Sequence, residues 1–308
     1  MFQITDPQQF EAEFQSSAVA IGKFDGIHLG HQQLLHELVD YAHESALVPT
    51  VISFDRHPLA LFDPENCPKP ITGAGQKSQL LDHSGVEVLL NLEFTSELAG
   101  LSPLAFAERH LVPLNTKMVF VGEDFTFGAG GAGNIETLRE LGMALGFRVR
   151  EVPHVLLAGR KISSSDLRAV LDKGRVDLAA LMLGREHEVS GLIEHGKKLG
   201  RTFGFPTANF SRSSEGYLPA DGVYAGYLVD GENRYPAAHS VGTNDSVAEV
   251  PRLLESHVIG RDDLDLYGRE VTAVFVAQVR GWAKFESVDA LIDQISQDVA
   301  KARDILGE

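Results

Sequence analysis

The first half of the chain alternates short β-rich runs with segments of helical periodicity, and this alternation limits the fold most. The strand-like runs are AVAIG, PTVISF, VEVLLNLEF, KMVFVG and FRVREVPHV, and the helical segments between them are HQQLLHELVDYAHES, QKSQLLDHSG, SPLAFAERHLVPL and NIETLRELGMALG. This order predicts an α/β, doubly wound parallel sheet with helices on both faces. Ligands of such sheets bind beyond the carboxyl ends of the strands. The loops after AVAIG and KMVFVG are therefore the first places to expect a site.

The pattern changes near Gly184, where helical segments give way to closely spaced β-rich runs. Two short helical segments, SSDLRAVLDKG and VDLAALMLG, close the first module. The runs that follow are GLIEHG, TANF, GVYAGYLVDG, YPAAHSV, LESHVIG and REVTAVFVAQVRG. Such runs, separated by Gly and Pro turns, predict a small antiparallel β-barrel. A length of 308 residues suits two domains, which we place at residues 1–184 and 185–308.

The last segment, SVDALIDQISQDVAKARDIL, has the periodicity of a helix. Its apolar residues at helical spacing are Val288, Leu291, Ile292, Ile295 and Val299. Ser287 stands where an N-cap is expected. We expect this helix to pack on the barrel.

The chain is acidic, with a formal net charge of −16 at pH 7. A broad nucleic-acid surface needs a basic footprint, so this class of function is excluded. An acidic protein can still bind a small polyanion such as ATP, provided that it offers local positive features: helix N-termini, a few Lys and Arg side chains, and a divalent cation. The expected partners are therefore small molecules, with no nucleic acid and no membrane.

The single cysteine, Cys67, allows no internal disulfide and fits a reducing cytosol. The opening segment, MFQITDPQQFEAEF, lacks the basic and apolar regions of a signal peptide. No run of about 18 apolar residues predicts a transmembrane helix. We therefore expect a cytoplasmic protein.

The segment GKFDGIHLGHQQLL joins the first strand to the first long helix and contains an H-x-G-H motif. Gly30 lets the backbone approach a ligand closely, and the helix N-terminus offers N–H groups to a phosphate. His28 and His31 can hydrogen-bond a triphosphate and stabilise the charge that develops as pyrophosphate leaves. The alternative is a tight turn with two histidines of no function, but the strand before it and the helix after it favour the phosphate site.

Two further segments contain ligand-binding residue types. VGEDFTFGAGGAGN follows the strand KMVFVG, and its glycines permit close backbone approach while Asp124 can bond a base, a ribose or a flavin group. GRKISSSDLR places hydroxyls at a helix start beside basic side chains, which is a second phosphate-binding pattern. Taken alone, the first is also typical of a flexible loop and the second of a serine N-cap with solvated charges.

The segment HGKKLGRTFGFPTANF contains oxygen-bearing side chains directly after Pro206. Thr207 and Asn209 offer oxygens of the kind that Mg²⁺ prefers, together with phosphates and water. The basic residues before them, Lys197, Lys198 and Arg201, stand in a Gly-rich stretch that can cover phosphates. Without further context, PTAN is only a turn into a strand.

Four segments, GKFDGIHLGHQ, VGEDFTFG, KISSSDLR and HGKKLGRTFGFPTANF, occur in the order found in bacterial bifunctional riboflavin kinase/FAD synthetases, and the chain resembles that family over nearly its whole length. The resemblance implies an FMN adenylyltransferase module of the nucleotidylyltransferase superfamily, followed by a riboflavin kinase barrel. It implies that His28 and His31 are the phosphate-binding pair. The other ATP and phosphate contacts implied are Gly22, Lys23, Gly30, Lys161, Ser164, Ser165, Arg168 and Arg201. The flavin contacts implied are Asp124 and Phe125.

The kinase module is implied by PTAN and by a downstream pattern. In the family, Thr207 and Asn209 correspond to residues that serve the Mg–nucleotide, and Glu255 corresponds to the glutamate that acts on the ribityl hydroxyl. The chain reads GTNDSVAEVPRLLESHVIGRDDLDLYG, which departs from the family pattern at Asp245-Ser246-Val247 and at Gly260. The loss of a proline and an aromatic near the flavin, and the added carboxylate near phosphates, make the kinase activity less secure than adenylyl transfer.

Three functions are compatible with these residues. The leading hypothesis is a bifunctional enzyme that phosphorylates riboflavin to FMN and adenylylates FMN to FAD, with Mg²⁺ as the metal and ATP as co-substrate. The second is an FMN adenylyltransferase with a degenerate kinase module. The third is a flavin-binding regulatory or storage protein, which the intact H-x-G-H and PTAN elements disfavour.

Overall fold

The structure, a computed structural model, describes residues 1–11, 14–196, 204–243 and 252–308. Its contacts divide the chain into two compact units. One consists of Met1–Pro70 and Ala74–Ile162, and the other of Ile71–Gly73 and Ser163–Glu308. The two helices between 164 and 183, which we expected to close the first module, thus pack with the second unit. Their buried side chains, among them Leu167 and Leu171, explain why they need a core to pack on.

The first unit is built on a six-stranded sheet whose strands all run parallel. The strands are β1 (Phe2–Ile4), β2 (Ser17–Ile21), β3 (Val48–Phe54), β4 (Val88–Leu92), β5 (Thr116–Gly122) and β6 (Arg148–Val152). Their spatial order is β1-β4-β3-β2-β5-β6, so β2 is central. Five of these strands were predicted from the sequence. The edge strand β1, only three residues long and half exposed, has too little pattern to be recognised.

Helices cover both faces of this sheet, as predicted. They are α1 (Gln8–Glu11), α2 (Leu29–Glu44), α3 (Leu59–Phe62), α4 (Ala74–His83), α5 (Ser96–Ala99), α6 (Pro103–His110) and α7 (Ile135–Leu145). Alternate residues of β2 enter different cores: Val19 packs in the core that α6 and α7 cover, and Ala18 in the core that α2 covers. A two-residue hairpin, β7 (Leu156–Leu157) and β8 (Arg160–Lys161), follows the sheet.

The second unit contains a closed antiparallel barrel, as predicted. Its strands are β9 (His187–Glu194), β10 (Ala208–Phe210), β11 (Gly222–Asp230), β12 (Asn233–Gly242), β13 (Leu253–Val258) and β14 (Glu270–Gly281). They close in the order β10-β13-β12-β11-β14-β9. Helices α8 (Ser164–Leu171) and α9 (Val176–Leu183) precede it, and α9 packs on β14 and β9.

The C-terminal helix, α10 (Val288–Leu306), packs on β11, β12 and β14 and confirms the prediction for this segment. The Ser287 side chain accepts a hydrogen bond from the Ala290 N–H and caps the helix. Val299 packs on the barrel, and Leu291, Ile295 and Val299 line a cavity beside it. Among the described residues, no helix is long and apolar enough to cross a membrane.

Two histidines are buried in the barrel in a neutral state. His239 Nε2–H donates to the Val274 carbonyl at 3.2 Å, and its Nδ1 lies 2.7 Å from Ser256 Oγ. His187 Nε2–H donates to the Tyr217 carbonyl at 2.6 Å. Burial lowers the pKa of each imidazole from 6.5 to about 4.

This burial predicts that the barrel loses stability in mild acid. Because both folded-state pKa values lie below the unfolded value, the unfolded chain binds protons first as the pH falls through 6.5. From pH 7 to pH 5 each histidine should cost about 2 kcal/mol of unfolding free energy. Guanidinium unfolding followed by emission of the single tryptophan, Trp282, reports on this unit.

The matched variants are His239→Gln and His195→Gln, the second at an exposed position. The loss between pH 7 and pH 5 should shrink by about 2 kcal/mol in His239→Gln and stay unchanged in His195→Gln. If wild type and His239→Gln lose the same unfolding free energy between pH 7 and pH 5, the burial of neutral His239 does not cause the acid sensitivity.

Candidate active sites

The turn after β2 has an unusual backbone. Phe24 has φ 49° and Ile27 has φ 40°, both in the left-handed region that bulky and β-branched residues avoid. Both side chains are 1% exposed, so their burial in the core that α2 covers stabilises the turn. The Gly22 N–H also donates to the Ile52 carbonyl at 3.1 Å. The turn is thereby fixed and places His28 directly before α2.

His28 and His31 form a stacked pair at the N-terminus of α2. Their ring centroids are 3.8 Å apart with 15° between the planes. His28 is the N-cap, and its Nδ1 accepts from the His31 N–H at 3.4 Å. A Cβ at Gly30 would lie only 3.2 Å from the His28 ring, which explains the glycine in H-x-G-H. The structure therefore brings together the two histidines and Gly30 as the motif indicated.

The His31 imidazole is neutral at pH 7. Burial lowers its pKa well below 6.5, and Coulombic interactions with His28, Lys23 and Lys161 act in the same direction. Its Nδ1 is buried and has no hydrogen-bond partner within the described parts of the chain. A buried ring nitrogen without a partner at a helix N-terminus is an arrangement that suits a bound phosphate.

Lys23 lies in the same turn. Its Nζ is 3.4 Å from His57 Nε2, and its backbone carbonyl accepts from Ser53 Oγ at 3.3 Å. A Cβ at Gly22 would lie 3.1 Å from the Phe24 ring. The sequence pointed to Gly22 and Lys23 but gave no sign of Ser53, since a serine in a buried strand has no distinctive pattern.

The glycine-rich loop after β5 brings Asp124 and Lys161 together. Lys161 Nζ donates to Asp124 Oδ2 at 2.5 Å, and His154 Nε2 lies 3.9 Å from Asp124 Oδ1. Burial raises the pKa of Asp124, but the hydrogen bond and charge of Lys161 outweigh it, so the pKa is lowered and the carboxylate stays ionised. Phe125 stacks on Phe127 at 5.5 Å and packs against the core.

An aromatic patch beside β3 and β4 was not recognised in the sequence. It consists of Phe54, Phe62 and Phe94, with centroids 5.6 Å apart for Phe54–Phe94 and 6.3 Å for Phe62–Phe94. Phe62 is 66% exposed. The sequence LALF, in the connection after β3, could have indicated it. In a parallel sheet this connection leaves the same edge as the loops after β2 and β5.

The serines of KISSSDLR lie in the first turn of α8, in the second unit. The N-cap is Ser163, whose Oγ accepts from the Asp166 N–H at 3.1 Å and donates to the Asp166 carboxylate at 2.7 Å. The predicted phosphate ligands Ser164 and Ser165 follow it, and Arg168 Nη1 donates to the Ser164 carbonyl at 3.3 Å. The sequence did not single out Ser163.

The second site lies where β10 pairs with β13. Asn209 faces Glu255 in the strand register, and Thr207 Oγ1 donates to Glu255 Oε2 at 3.4 Å. Asn209 Nδ2 donates to the Thr207 carbonyl at 3.2 Å. A Cβ at Gly196 would lie 2.4 Å from Asn209 Oδ1. Thr207, Asn209 and Glu255, the three side chains predicted for this site, span 48 residues of sequence and lie in one cluster.

Two cavities of the second unit meet at this cluster. Thr207 and Asn209 line both of them. The smaller, about 60 Å³, also contacts Arg261 and Tyr267. The larger, about 480 Å³, is lined by Glu255, His257, Trp282 and residues of α10 among others. A site with this shape can hold two ligands whose reacting ends meet at Thr207, Asn209 and Glu255.

Some predicted positions lie outside the described residues. They are Arg201, with its neighbours Lys197 and Lys198, and the departure at Asp245-Ser246-Val247. Within the described residues, no group of three or more His, Cys, Asp or Glu side chains is placed to hold a metal. Thr207 and Asn209 are oxygen ligands of a different type, and their fit to a metal is considered below.

The chain matches two protein-family models. The FAD synthetase model covers residues 10–166 and the riboflavin kinase model covers residues 183–306. The first therefore contains both histidines, and the second contains Thr207, Asn209 and Glu255.

Similar proteins cover nearly the full length of the chain. Bifunctional riboflavin kinase/FMN adenylyltransferase from Escherichia coli K12 is 35% identical over 96% of this chain and 95% of its own. The protein of the same description from Bacillus subtilis 168 is 32% identical over 97% of this chain and 96% of its own. A crystal structure described as a macrolide-efflux protein from Streptococcus pneumoniae has a TM-score of 0.87 and 31% identity, covering 98% of each chain.

The predicted resemblance is thus confirmed over both halves, and both halves match enzyme families rather than a binding protein. The chain belongs to the family of bifunctional riboflavin kinase/FMN adenylyltransferases, enzymes that transfer phosphorus-containing groups.

Proposed function

We propose that this chain carries out two ATP-dependent reactions at separate sites: phosphorylation of riboflavin to FMN in the barrel unit, and adenylylation of FMN to FAD at the sheet. The observation that carries the first is that Thr207 and Asn209 line two neighbouring cavities, the larger of which also contains Glu255. The second rests on the stacked histidine pair at the N-terminus of α2, beyond the carboxyl end of the central strand.

In adenylyl transfer, a phosphate oxygen of FMN forms a bond to the α-phosphorus of ATP and the bond to pyrophosphate breaks. His28, His31 and the N–H groups of α2 bind the departing phosphates, with Gly22, Lys23 and Gly30 around them. Because burial holds His31 neutral, it acts as a hydrogen-bonding group that needs no proton uptake at neutral pH. No covalent enzyme intermediate is needed, since FMN supplies the nucleophile.

The flavin of this reaction is proposed to contact Asp124 and Phe125. The aromatic patch of Phe54, Phe62 and Phe94 adds an exposed apolar surface in the same unit that suits a planar ring. Lys161, which is held by Asp124, is proposed to serve phosphate oxygens. Ser164, Ser165 and Arg168 of α8 are proposed as phosphate contacts from the family resemblance of KISSSDLR. Arg201 is proposed as a phosphate contact of the kinase from its sequence position alone.

In the kinase reaction, Glu255 takes the proton of the ribityl hydroxyl as that oxygen forms a bond to the γ-phosphorus of ATP, and ADP leaves. Phosphoryl transfer depends mostly on positioning and charge stabilisation. The larger cavity, about 480 Å³, is proposed for riboflavin, because it contains Glu255 and an exposed indole. The smaller one, on the other side of Thr207 and Asn209, is proposed for the nucleotide.

Thr207 and Asn209 fit a magnesium ion. Thr207 Oγ1 lies 3.4 Å from a Glu255 oxygen, and the space beside Asn209 Oδ1 is kept clear by the missing side chain of Gly196. Mg²⁺ keeps several waters and takes only one or two protein oxygens with the phosphates, so this donor set suffices. The ion, when bound, neutralises charge on the nucleotide phosphates.

The functional boundary is proposed at Gly184, with modules at 1–184 and 185–308, because α9 ends there and the riboflavin kinase match begins at residue 183. A cytoplasmic location is proposed because ATP is the co-substrate and Cys67 is the only cysteine. The proposed partners are riboflavin, FMN, FAD and ATP.

The adenylyl site is tested by His31→Ala. Loss of one preorganised hydrogen-bonding group should lower the rate of FAD formation from FMN by about 10²-fold. Riboflavin phosphorylation should change little, since its proposed residues lie in the other unit. The control is His36→Ala on the same helix, whose side chain is 77% exposed. Equal loss of both activities in His31→Ala would contradict separate sites.

The kinase site is tested by Glu255→Gln, which keeps the shape of the side chain and removes the proton acceptor. Riboflavin phosphorylation should fall about 10²–10⁴-fold, with FMN adenylylation unchanged. Glu270→Gln, an exposed glutamate on β14, is the control. An unchanged rate in Glu255→Gln excludes this residue, and a wild type that forms FAD but no FMN supports the degenerate-kinase alternative.

The riboflavin cavity is tested with the emission of Trp282. It is the only tryptophan, lines the larger cavity and is 62% exposed. Riboflavin should quench its emission saturably, because a flavin ring bound in this cavity lies close enough to the indole to stack on it and quench it by contact. Free N-acetyltryptophanamide corrects for light absorption by the flavin. Saturating riboflavin that is phosphorylated without quenching Trp282 would place the ring elsewhere.

A further inference from the structure

Lys77, on α4, has its ammonium group at the carboxyl end of β3. Its Nζ donates to the Phe54 carbonyl at 2.9 Å and to Ser53 Oγ at 3.2 Å. The side chain is largely buried, and this burial lowers its pKa. Burying a lysine ammonium costs free energy unless hydrogen bonds and opposite charges offset the loss of water. Neither of the two proposed reactions has so far been given a role for Lys77.

The contact continues from Ser53 to the turn before His28. Ser53 is fully buried, and its Oγ donates to the Lys23 carbonyl at 3.3 Å. A hydroxyl has one proton to donate and lone pairs to accept with, so it can receive the Lys77 bond and make the second bond at once. Lys77 is therefore connected through one buried side chain to the backbone of the turn.

The turn depends on such contacts. Phe24 and Ile27 hold left-handed φ angles that are unfavourable for their side chains, and they do so between Lys23 and His28. Loss of the hydrogen bond from Ser53 to the Lys23 carbonyl removes one of the contacts that stabilise the turn in this conformation. A shift there displaces His28, whose Nδ1 is the cap of α2.

Charge also links Lys77 to the site. Its ammonium attracts Asp25, in the turn, and Asp55, directly after β3. These carboxylates belong to segments that adjoin the proposed triphosphate site, where uncompensated negative charge opposes ATP. The ammonium group of Lys77 offsets the negative charge of Asp25 and Asp55. Surface cations can then interact with the bound nucleotide.

We propose that Lys77 is a positioning residue for adenylyl transfer: through Ser53 it fixes the turn of residues 22–27, and with it the placement of His28 and His31. This rests on the proposed role of the two histidines. Lys77 makes no contact with the reacting atoms, and its effect appears in the rate of the transfer step rather than in riboflavin phosphorylation.

The test uses two variants. Lys77→Met keeps a side chain of similar length but removes the positive charge and the hydrogen-bond donors. Lys77→Arg keeps the charge and the donors. The control is Lys117→Met, an exposed lysine of β5 that bonds Asn115. The full chain is assayed for both activities in one preparation. Because small displacements of catalytic groups cost up to about 10²-fold, kcat for FAD formation should fall about 10- to 100-fold in Lys77→Met, with smaller changes in the KM values for FMN and ATP.

The same preparation should phosphorylate riboflavin at the wild-type rate, Lys77→Arg should recover most of the lost kcat, and Lys117→Met should behave as wild type. Ser53→Ala, which removes only the connection, should lower the same kcat to a lesser degree and keeps the proposal testable if Lys77→Met does not fold. Wild-type FAD formation in Lys77→Met, or equal loss of both activities in a Lys77→Met protein that keeps the wild-type melting temperature, overturns the proposal. If His31→Ala also forms FAD normally, the site itself is wrong and the role of Lys77 falls with it.

Discussion

The parallel arrangement of the first sheet is the constraint on which that unit depends. Since all six strands run the same way, their carboxyl ends meet at one edge, and the connections that leave this edge must hold whatever the unit binds. The turn after β2, the aromatic patch after β3 and the glycine loop after β5 are three such connections. Helices on both faces bury the sheet, so the edge is where polar groups collect.

The barrel gathers its site in a different way. Pairing of β10 with β13 sets Asn209 opposite Glu255, and Glu255 is also paired with Ser240 of β12. The cluster is therefore fixed by backbone hydrogen bonds in a closed ring of strands, and side chains distant in sequence meet because the register permits only one pairing. One unit thus positions its groups with loops and a helix terminus, and the other with a strand ladder.

Much of this was predictable. Strand and helix alternation indicated the sheet, the strand-rich second half indicated the barrel, and the H-x-G-H motif pointed to His28 and His31. Thr207 and Asn209 were singled out through the family resemblance of PTAN. Glu255 could be reached only through a resemblance, because nothing local marks it. Helices α8 and α9 pack with the second unit. Their sequences do not indicate this, because an amphipathic pattern shows that a helix packs but not which core it packs on. Nothing in the sequence indicated Ser53 or Lys77, because the role proposed for them arises from hydrogen bonds between residues that are distant in sequence.

The two sheets also differ in how they meet other chains. The barrel is closed, so its ring offers no unpaired strand, whereas the first sheet ends at β1 and β6. β1 is only three residues long, and β6 carries the charged residues Arg148, Arg150 and Glu151, with Arg150 lying over the Tyr41 ring at 5.5 Å. A short edge at one side and a charged edge at the other are poor templates for an added strand. The open sheet is thereby protected from aggregation by the composition of its borders, and the barrel by its closure.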